Sequence, residues 1–417
     1  MKFISLPAAL GIVLLDTALA AQPLPGARPA AEHIVPAAIE RMHATLQRSV
    51  EDGQHAGLVV ALARDGKLVD LWSTGQRDVA QKLPMQPDTI CRIYSMSKIV
   101  TSVGVLCLLE DGRFRLDDPV TNYLPELRDL KVMTGGTADA PTLEAVKRAV
   151  TIKHLLTHTS GLAYDFDGAD DLHQLYQRAR LWDGSSLKEF AGKVGRLPLK
   201  HQPGDQFTYG INCDVLGALI ERVSGKTFEE FLAERILTPL GMRDTSFDVP
   251  PEKMARLAKT YKHAADGRLV ETEPLVETWP EKGRGLASGG AGLFSTIGDY
   301  LRFAQMLANG GSLNGKRVLS RKTVELMTAN HLLSLPDQAH AFSRAQGFGL
   351  GVEVQLDLGR GALPGSPGAF GWYGAATTYC RIDPKEHTVA LLFAQHFPFN
   401  EHRIFETFAT AYYSTLE

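Results

Sequence analysis

Strand-forming runs stand at both ends of this chain, with a long helical stretch between them. Near the N-terminus, the apolar residues 58–63 and 68–72 flank Arg64-Asp65-Gly66-Lys67. An Asp-Gly pair between such runs is a strong signal for a tight hairpin turn. Near the C-terminus, residues 348–356, 377–382 and 388–395 alternate or are wholly apolar, and Asp383-Pro384-Lys385-Glu386 turns between the last two. From about Leu116 to Met327 the apolar spacing is mostly helical. Residues 215–223 stop at Ser224-Gly225, 228–237 stop before Pro239, and 299–307 stop at Asn309-Gly310-Gly311. Helices are also expected over 34–52 and 400–413. The expectation is therefore an α+β domain over 33–417. Its mainly antiparallel sheet is built from both termini and flanked by helices. Residues 33–115 and 335–417 would form the α/β part, and 116–334 the inserted, mainly helical part.

Charge excludes some functions. Lys+Arg 44 against Asp+Glu 47 gives a formal net charge of −3, so a basic footprint for nucleic acid is missing. Four cysteines in 417 residues are too few for a disulfide scaffold. Cys91, Cys107, Cys213 and Cys380 allow three pairings, and buried thiols are equally open. Residues 1–20 have the layout of a secretory signal peptide: Lys2, an apolar run over 3–15, then Ala18-Leu19-Ala20 before Ala21. Pro7 and Asp16 interrupt that pattern, and an apolar N-terminal helix of the mature fold is the alternative. The run is too short to span a bilayer, which needs ~20 apolar residues. Residues 21–32, rich in Pro and Ala, read as a linker. An exported protein with no membrane span is expected.

Ser95-Met96-Ser97-Lys98 falls where a strand-like run gives way to an apolar helix. A Ser and a Lys three apart on a helix share one face. A serine hydroxyl is a poor nucleophile until a neighbour takes its proton, and a partly desolvated lysine can do so. A helix start also supplies backbone N–H groups for an oxyanion. Local evidence leaves nucleophile and N-cap equally open for Ser95. A second copy, Ser185-Ser186-Leu187-Lys188, reads as structural, because Ser186 and Glu189 make a capping box.

Further motifs follow in order: His154-Leu155-Leu156-Thr157-His158-Thr159-Ser160-Gly161-Leu162, then Gln202 through Tyr209 with Asp214-Val215-Leu216-Gly217. Ser288 through Thr296 and Gly371-Trp372-Tyr373-Gly374 complete the set. Order and spacing resemble the serine β-lactamase-like family: class C β-lactamases, D-alanyl-D-alanine peptidases and family VIII carboxylesterases. The resemblance runs from about His33 to Thr415. It implies the β-lactamase/penicillin-binding-protein fold, with Ser95 as acylated nucleophile, Lys98 as activating amine and Tyr209 as proton shuttle. It also implies that the N–H groups of Ser95 and Ala375 hold the oxyanion, and that Trp372, Tyr373 and Gly374 line the substrate site. No metal or organic cofactor is implied.

Two positions depart from the lactamase pattern. Ile211 stands where the second motif carries Asn, with Asn212 one residue late, and Trp372 stands where the third motif carries Lys or His. A site without those polar partners loses selectivity for carboxylate-bearing amides and favours neutral, apolar acyl groups, with Ile211 and Trp372 against the substrate. Trp372 resembles family VIII carboxylesterases; Tyr373 could supply a hydroxyl or narrow the pocket. The expected substrate is a small-molecule ester. Open alternatives are a β-lactamase or D-amino-acid peptidase, an acyltransferase using the same acyl-enzyme, and a non-catalytic binding protein. His154 and His158 have zinc-helix spacing but lack the following Glu, and read as a loop–helix junction. The run 283–292 lacks the Lys of a phosphate loop and is expected to line the pocket. His201, His387 and His396 read as surface or loop residues.

Overall fold

The computed structural model describes residues 23–417 except 167, 185, 275–285, 337, 339 and 341. The expected leader, Ser185 and the start of the 283–292 run lie outside the described residues. The hairpin forms where the Asp-Gly pair predicts it, between β1 (Gly57–Arg64) and β2 (Lys67–Asp78). Asp65 and Gly66 both have positive φ, 50° and 77°, the backbone of a type I′ turn. A short β3 (Leu83–Pro84) continues from β2. The C-terminal strands are β4 (Gln346–Phe348), β5 (Glu353–Gln355), β6 (Phe370–Gly374), β7 (Thr378–Asp383) and β8 (Thr388–Phe393). They make one antiparallel sheet in the order β4-β5-β6-β7-β8-β1-β2-β3. The termini meet at β8 and β1, paired from Val59↔Phe393 to Arg64↔Thr388.

Helices cover both faces, which is why residues 58–63 of β1 and 389–393 of β8 are apolar instead of alternating. Leu58, Val60 and Leu62 of β1 pack with α1 (Pro36–Glu51) and α5 (Ile404–Tyr413) through Met42, Leu46 and Phe408. Val59, Ala61 and Ala63 turn to the other face, with α2 (Ser97–Glu110) and α4 (Ile297–Ala308). Each buried Val, Leu, Met or Phe side chain among these contributes ~1.5–3 kcal/mol. In the inserted region α3 (Asn212–Ser224) ends as expected at Gly225, whose φ is 73°.

Several expected elements differ. Residues 348–356 are not one strand, because Gly351, at φ 86°, turns the chain between β4 and β5. Residues 400–403 do not join the last helix: Asn400, His402 and Arg403 all have positive φ, and α5 starts at Ile404. The helix from Phe228 does not stop before Pro239. It widens to a π turn over Ala233–Leu237, carries Pro239 in a final turn and ends at Gly241. A hairpin, Lys131–Gly136 with Pro141–Ala145, stands in the region read as helical. Residues 23–32 are not a free tether. Leu24 is buried, Leu68 N–H donates to the Pro25 carbonyl, and Lys67 pairs with Glu32.

All four cysteines are free and buried, so of the two readings the thiols hold. His201 lies in a loop, though buried and bonded to Thr208, and His387 is exposed in a turn, as the surface-or-loop reading allows, whereas His396 is buried in a strand and bonded to Glu401. Among the described residues, no helix is long and apolar enough to cross a membrane.

Candidate active site

Ser95 sits in the single 3-10 turn Tyr94–Met96 that leads into α2. Tyr94 has φ 40°, a left-handed conformation that costs on the order of 1–3 kcal/mol for a non-glycine residue and clusters at functional sites. Packing holds it there. The Tyr94 ring is buried edge-on to Phe397, and the Tyr300 hydroxyl donates to the Met96 carbonyl at 3.0 Å.

Lys98, one turn along, is 1% exposed. Its Nζ donates to Ser95 Oγ at 3.1 Å and to the Gly290 carbonyl at 2.7 Å. It also lies over the rings of Tyr209 (4.6 Å) and Tyr164 (5.3 Å), whose π faces favour a cation. The Gly290 loop is fixed from beneath by Asp214 on α3, whose Oδ1 accepts from Gly290 N–H (2.9 Å) and Ser288 Oγ (2.5 Å). Burial holds the Asp214 carboxyl above the usual carboxylate range, against the opposing pull of Lys98. A Cβ on Gly290 would lie 2.6 Å from Asp214 Oδ2, so the loop needs glycine for this approach. The sequence shows Asp214 only as part of a motif. A carboxylate in an otherwise apolar helix segment was the available signal.

Tyr209 faces the same space. Its phenol oxygen accepts from Trp372 Nε1 at 3.1 Å, which leaves its own O–H to donate elsewhere. Among the described residues no hydrogen bond joins it to Ser95 or Lys98; the Ser95–Lys98 contact is direct. Trp372 is thus more than an apolar replacement, since its indole N–H orients the phenol. Gly374 closes the strand on the turn that carries Ser95: a Cβ there would lie 2.3 Å from the Ile93 carbonyl oxygen. Ser95, Tyr209, Trp372, Tyr373, Gly374 and Ala375 all line one cavity of about 470 Å³.

Ile211 is not among them. It is fully buried at the start of α3, so the expected contact with substrate is not open to it. Asn212 is also turned away, since its Oδ1 accepts from Ser160 Oγ (2.5 Å) and its Nδ2 donates to His158 Nδ1 (2.9 Å). Burial pushes His158 well below the usual histidine range, so it is a neutral acceptor. His154 Nδ1 instead accepts from Thr151 N–H in a capping box, as the junction reading requires. The second Ser-x-x-Lys copy is structural too: Ser186 accepts from Glu189 N–H and caps the helix Leu187–Val194.

The cavity has two further parts that sequence reasoning missed. Its mouth carries Phe166, Phe342 and Phe399, which are 74%, 61% and 50% exposed. Its inner wall holds a buried polar network on one face of the sheet. Glu353 on β5 and Arg381 on β7 are both register partners of Gly371 on β6, and with no side chain between them they meet at 2.5 Å. The Tyr373 hydroxyl joins them, donating to Glu353 and accepting from Arg381 at 3.0 Å. Burial alone would raise the Glu353 pKa, but Arg381, then His340 and Tyr373, hold it below the usual carboxylate range. The pair is internally compensated, so this wall offers no net charge to a substrate.

A family model described as Beta-lactamase matches residues 42–413. Protein Rv1367c of Mycobacterium tuberculosis (strain ATCC 25618 / H37Rv) is 35% identical over 366 residues, 85% of this chain and 89% of that protein. Lovastatin esterase of Penicillium rubens is 31% identical over 350 residues, 81% of this chain and 86% of that protein. Among solved structures, EstCE1, a hydrolase with promiscuous acyltransferase activity, superposes with a TM-score of 0.75 at 25% identity, covering 90% of this chain and 98% of that one.

Proposed function

Because the chain belongs to the Beta-lactamase family, we propose that it cleaves carboxylic esters of apolar groups through an acyl-enzyme on Ser95. The observation that carries this reading is the 3.1 Å contact between Lys98 Nζ and Ser95 Oγ at the foot of an apolar-mouthed cavity. Ser95 Oγ attacks the ester carbonyl, Lys98 and Tyr209 handle its proton, and the Ser95 and Ala375 N–H groups receive the oxyanion. The alkoxide leaves with a proton. Water then attacks the acyl-enzyme, with Tyr209 or Lys98 as base, and restores Ser95. Support for an ester over an amide comes from Trp372, which binds Tyr209 where the lactamase pattern has a cation, and from the aromatic mouth.

Acyl transfer to an alcohol is the second reading, favoured by the described activity of EstCE1. It differs only in what attacks the acyl-enzyme. The test is p-nitrophenyl butyrate hydrolysis by the mature protein and by Ser95→Ala, with and without an added alcohol. Hydrolysis lost in the variant supports the esterase, and ester product formed in preference to acid supports the transferase. Equal activity of both proteins refutes the site. Nitrocefin turnover matching ester turnover would move the reading to an amide hydrolase. The leader-like residues 1–20 support export, which N-terminal sequencing of the protein from an expressing bacterium tests: an intact Met1 refutes it.

A further inference from the structure

Next to the turn after β6 that carries Ala375, three histidines and a glutamate converge. His263 ends the strand Tyr261–His263, and His396 opens the strand His396–Phe397, which pairs with it in parallel. Glu401 and His402 lie in the left-handed turn before α5. One nitrogen or carboxylate oxygen from each of the four lies within 4.8 Å of all the others. Glu401 Oε2 is 2.7 Å from His396 Nε2, 2.8 Å from His263 Nδ1 and 3.7 Å from His402 Nε2. The nitrogens of His402 and His263 are 3.4 Å apart. In a tetrahedral site with metal–ligand bonds of ~2.0–2.1 Å, the ligand atoms stand ~3.3 Å from one another, and these separations straddle that value.

The hydrogen-bond geometry points the same way. His263 Nε2 lies 3.0 Å from the Gly53 carbonyl and can only donate to it. In neutral His263 this leaves a lone pair on Nδ1, facing the Glu401 carboxylate. A lone pair and a carboxylate at 2.8 Å need a positive charge between them, either a proton or a metal cation. One proton serves one pair, whereas a cation serves all four donors at once. A backbone carbonyl that fixes the far nitrogen is also the usual device for orienting a metal-bound imidazole. His396 is buried, and among the described residues its outer nitrogen, Nδ1, has no hydrogen-bond partner.

We propose that His263, His396, Glu401 and His402 form a structural site for a divalent transition-metal ion of the zinc class. Three imidazoles and one carboxylate are donors suited to zinc, and four protein ligands close the tetrahedron. The ion would fasten the segment 396–402 to the wall of the reaction cavity. Phe399 and Asn400 of that segment line the cavity, and His396 N–H donates to the Ala376 carbonyl at 3.1 Å, next to Ala375.

The full chain, dialysed against a chelator, is titrated with Co²⁺ alone. The expected result is one Co²⁺ per chain, with the intense visible absorption of tetrahedral coordination, displaced by Zn²⁺. Glu401→Gln and His402→Ala should weaken Co²⁺ by more than the ~10–100-fold that is lost with a group hydrogen-bonded to a metal ligand. His402 is exposed, so its variant keeps the fold, which circular dichroism checks. Absence of a tetrahedral band in wild-type protein at millimolar Co²⁺ overturns the proposal. So does a band that persists unchanged in both folded variants.

Discussion

Replacing Gly374 with alanine puts a Cβ 2.3 Å from the Ile93 carbonyl oxygen and 2.1 Å from Thr378 Oγ1. The threonine hydroxyl can rotate aside, but the carbonyl is backbone, two residues before Ser95. Ordinary contact starts at 3.4 Å, so β6 and the turn that carries Ser95 must part by about 1 Å. A 1 Å error in reacting geometry costs on the order of 10²-fold in rate, or ~2.7 kcal/mol. Overpacking costs a further ~1–3 kcal/mol of stability. The two effects are separable: kcat for p-nitrophenyl butyrate reports the first, and urea unfolding reports the second. Gly192→Ala is the control. It sits in the helix Leu187–Val194 with nothing within 4 Å of the added methyl, and should stabilise by ~0.5–1 kcal/mol at unchanged kcat. If folded Gly374→Ala keeps kcat within threefold of wild type, close approach of this strand to Ser95 is not needed for turnover.

Three further outcomes are expected. Trp372→Phe keeps the apolar wall but removes the donor to the Tyr209 oxygen, and should lower kcat/KM by about 2- to 13-fold, the worth of a hydrogen bond of ~0.5–1.5 kcal/mol; an unchanged value would mean that this bond does not orient the phenol. Lengthening the acyl chain should raise kcat/KM by up to about fourfold per methylene, since each buried CH₂ contributes ~0.8 kcal/mol, until the cavity is full. Phe342→Ala should flatten that series, and an equally steep series would remove Phe342 from the acyl-binding wall. Burial lowers the His154 pKa to about 4, below the unfolded value of 6.5. The unfolded chain therefore binds more protons between those values, and stability from this group is lost as pH falls from about 6.5 toward 4. Thermal melting of His154→Asn should lose less over that range than wild type, and identical slopes would refute the assignment.

What could be read along the chain was whatever a short segment dictates by itself. The Asp65-Gly66 pair sets a type I′ turn because both residues accept the positive φ that this turn, matched to the strand twist, requires. Ser95 and Lys98 share a helix face because three residues make nearly one turn. Gly225 ends α3 because glycine accepts positive φ at no steric cost. The ordered motifs added Tyr209, Trp372 and Gly374, all of which line the cavity.

Tertiary structure decided the pairings between distant segments. Ile211 was read against a motif position, but helix geometry turns it into the core and Asn212 toward His158. Glu353 and Arg381 meet only because the sheet register sets both against Gly371. Phe166, Phe342 and Phe399 come from three separate loops, where no periodicity marks a shared surface. His263 lies 133 positions before His396, and only the parallel pairing of their strands brings the rings together. Local propensity acts over a few residues, whereas these contacts depend on how sheets and loops close over the whole chain, and a single sequence carries no direct signal of that closure.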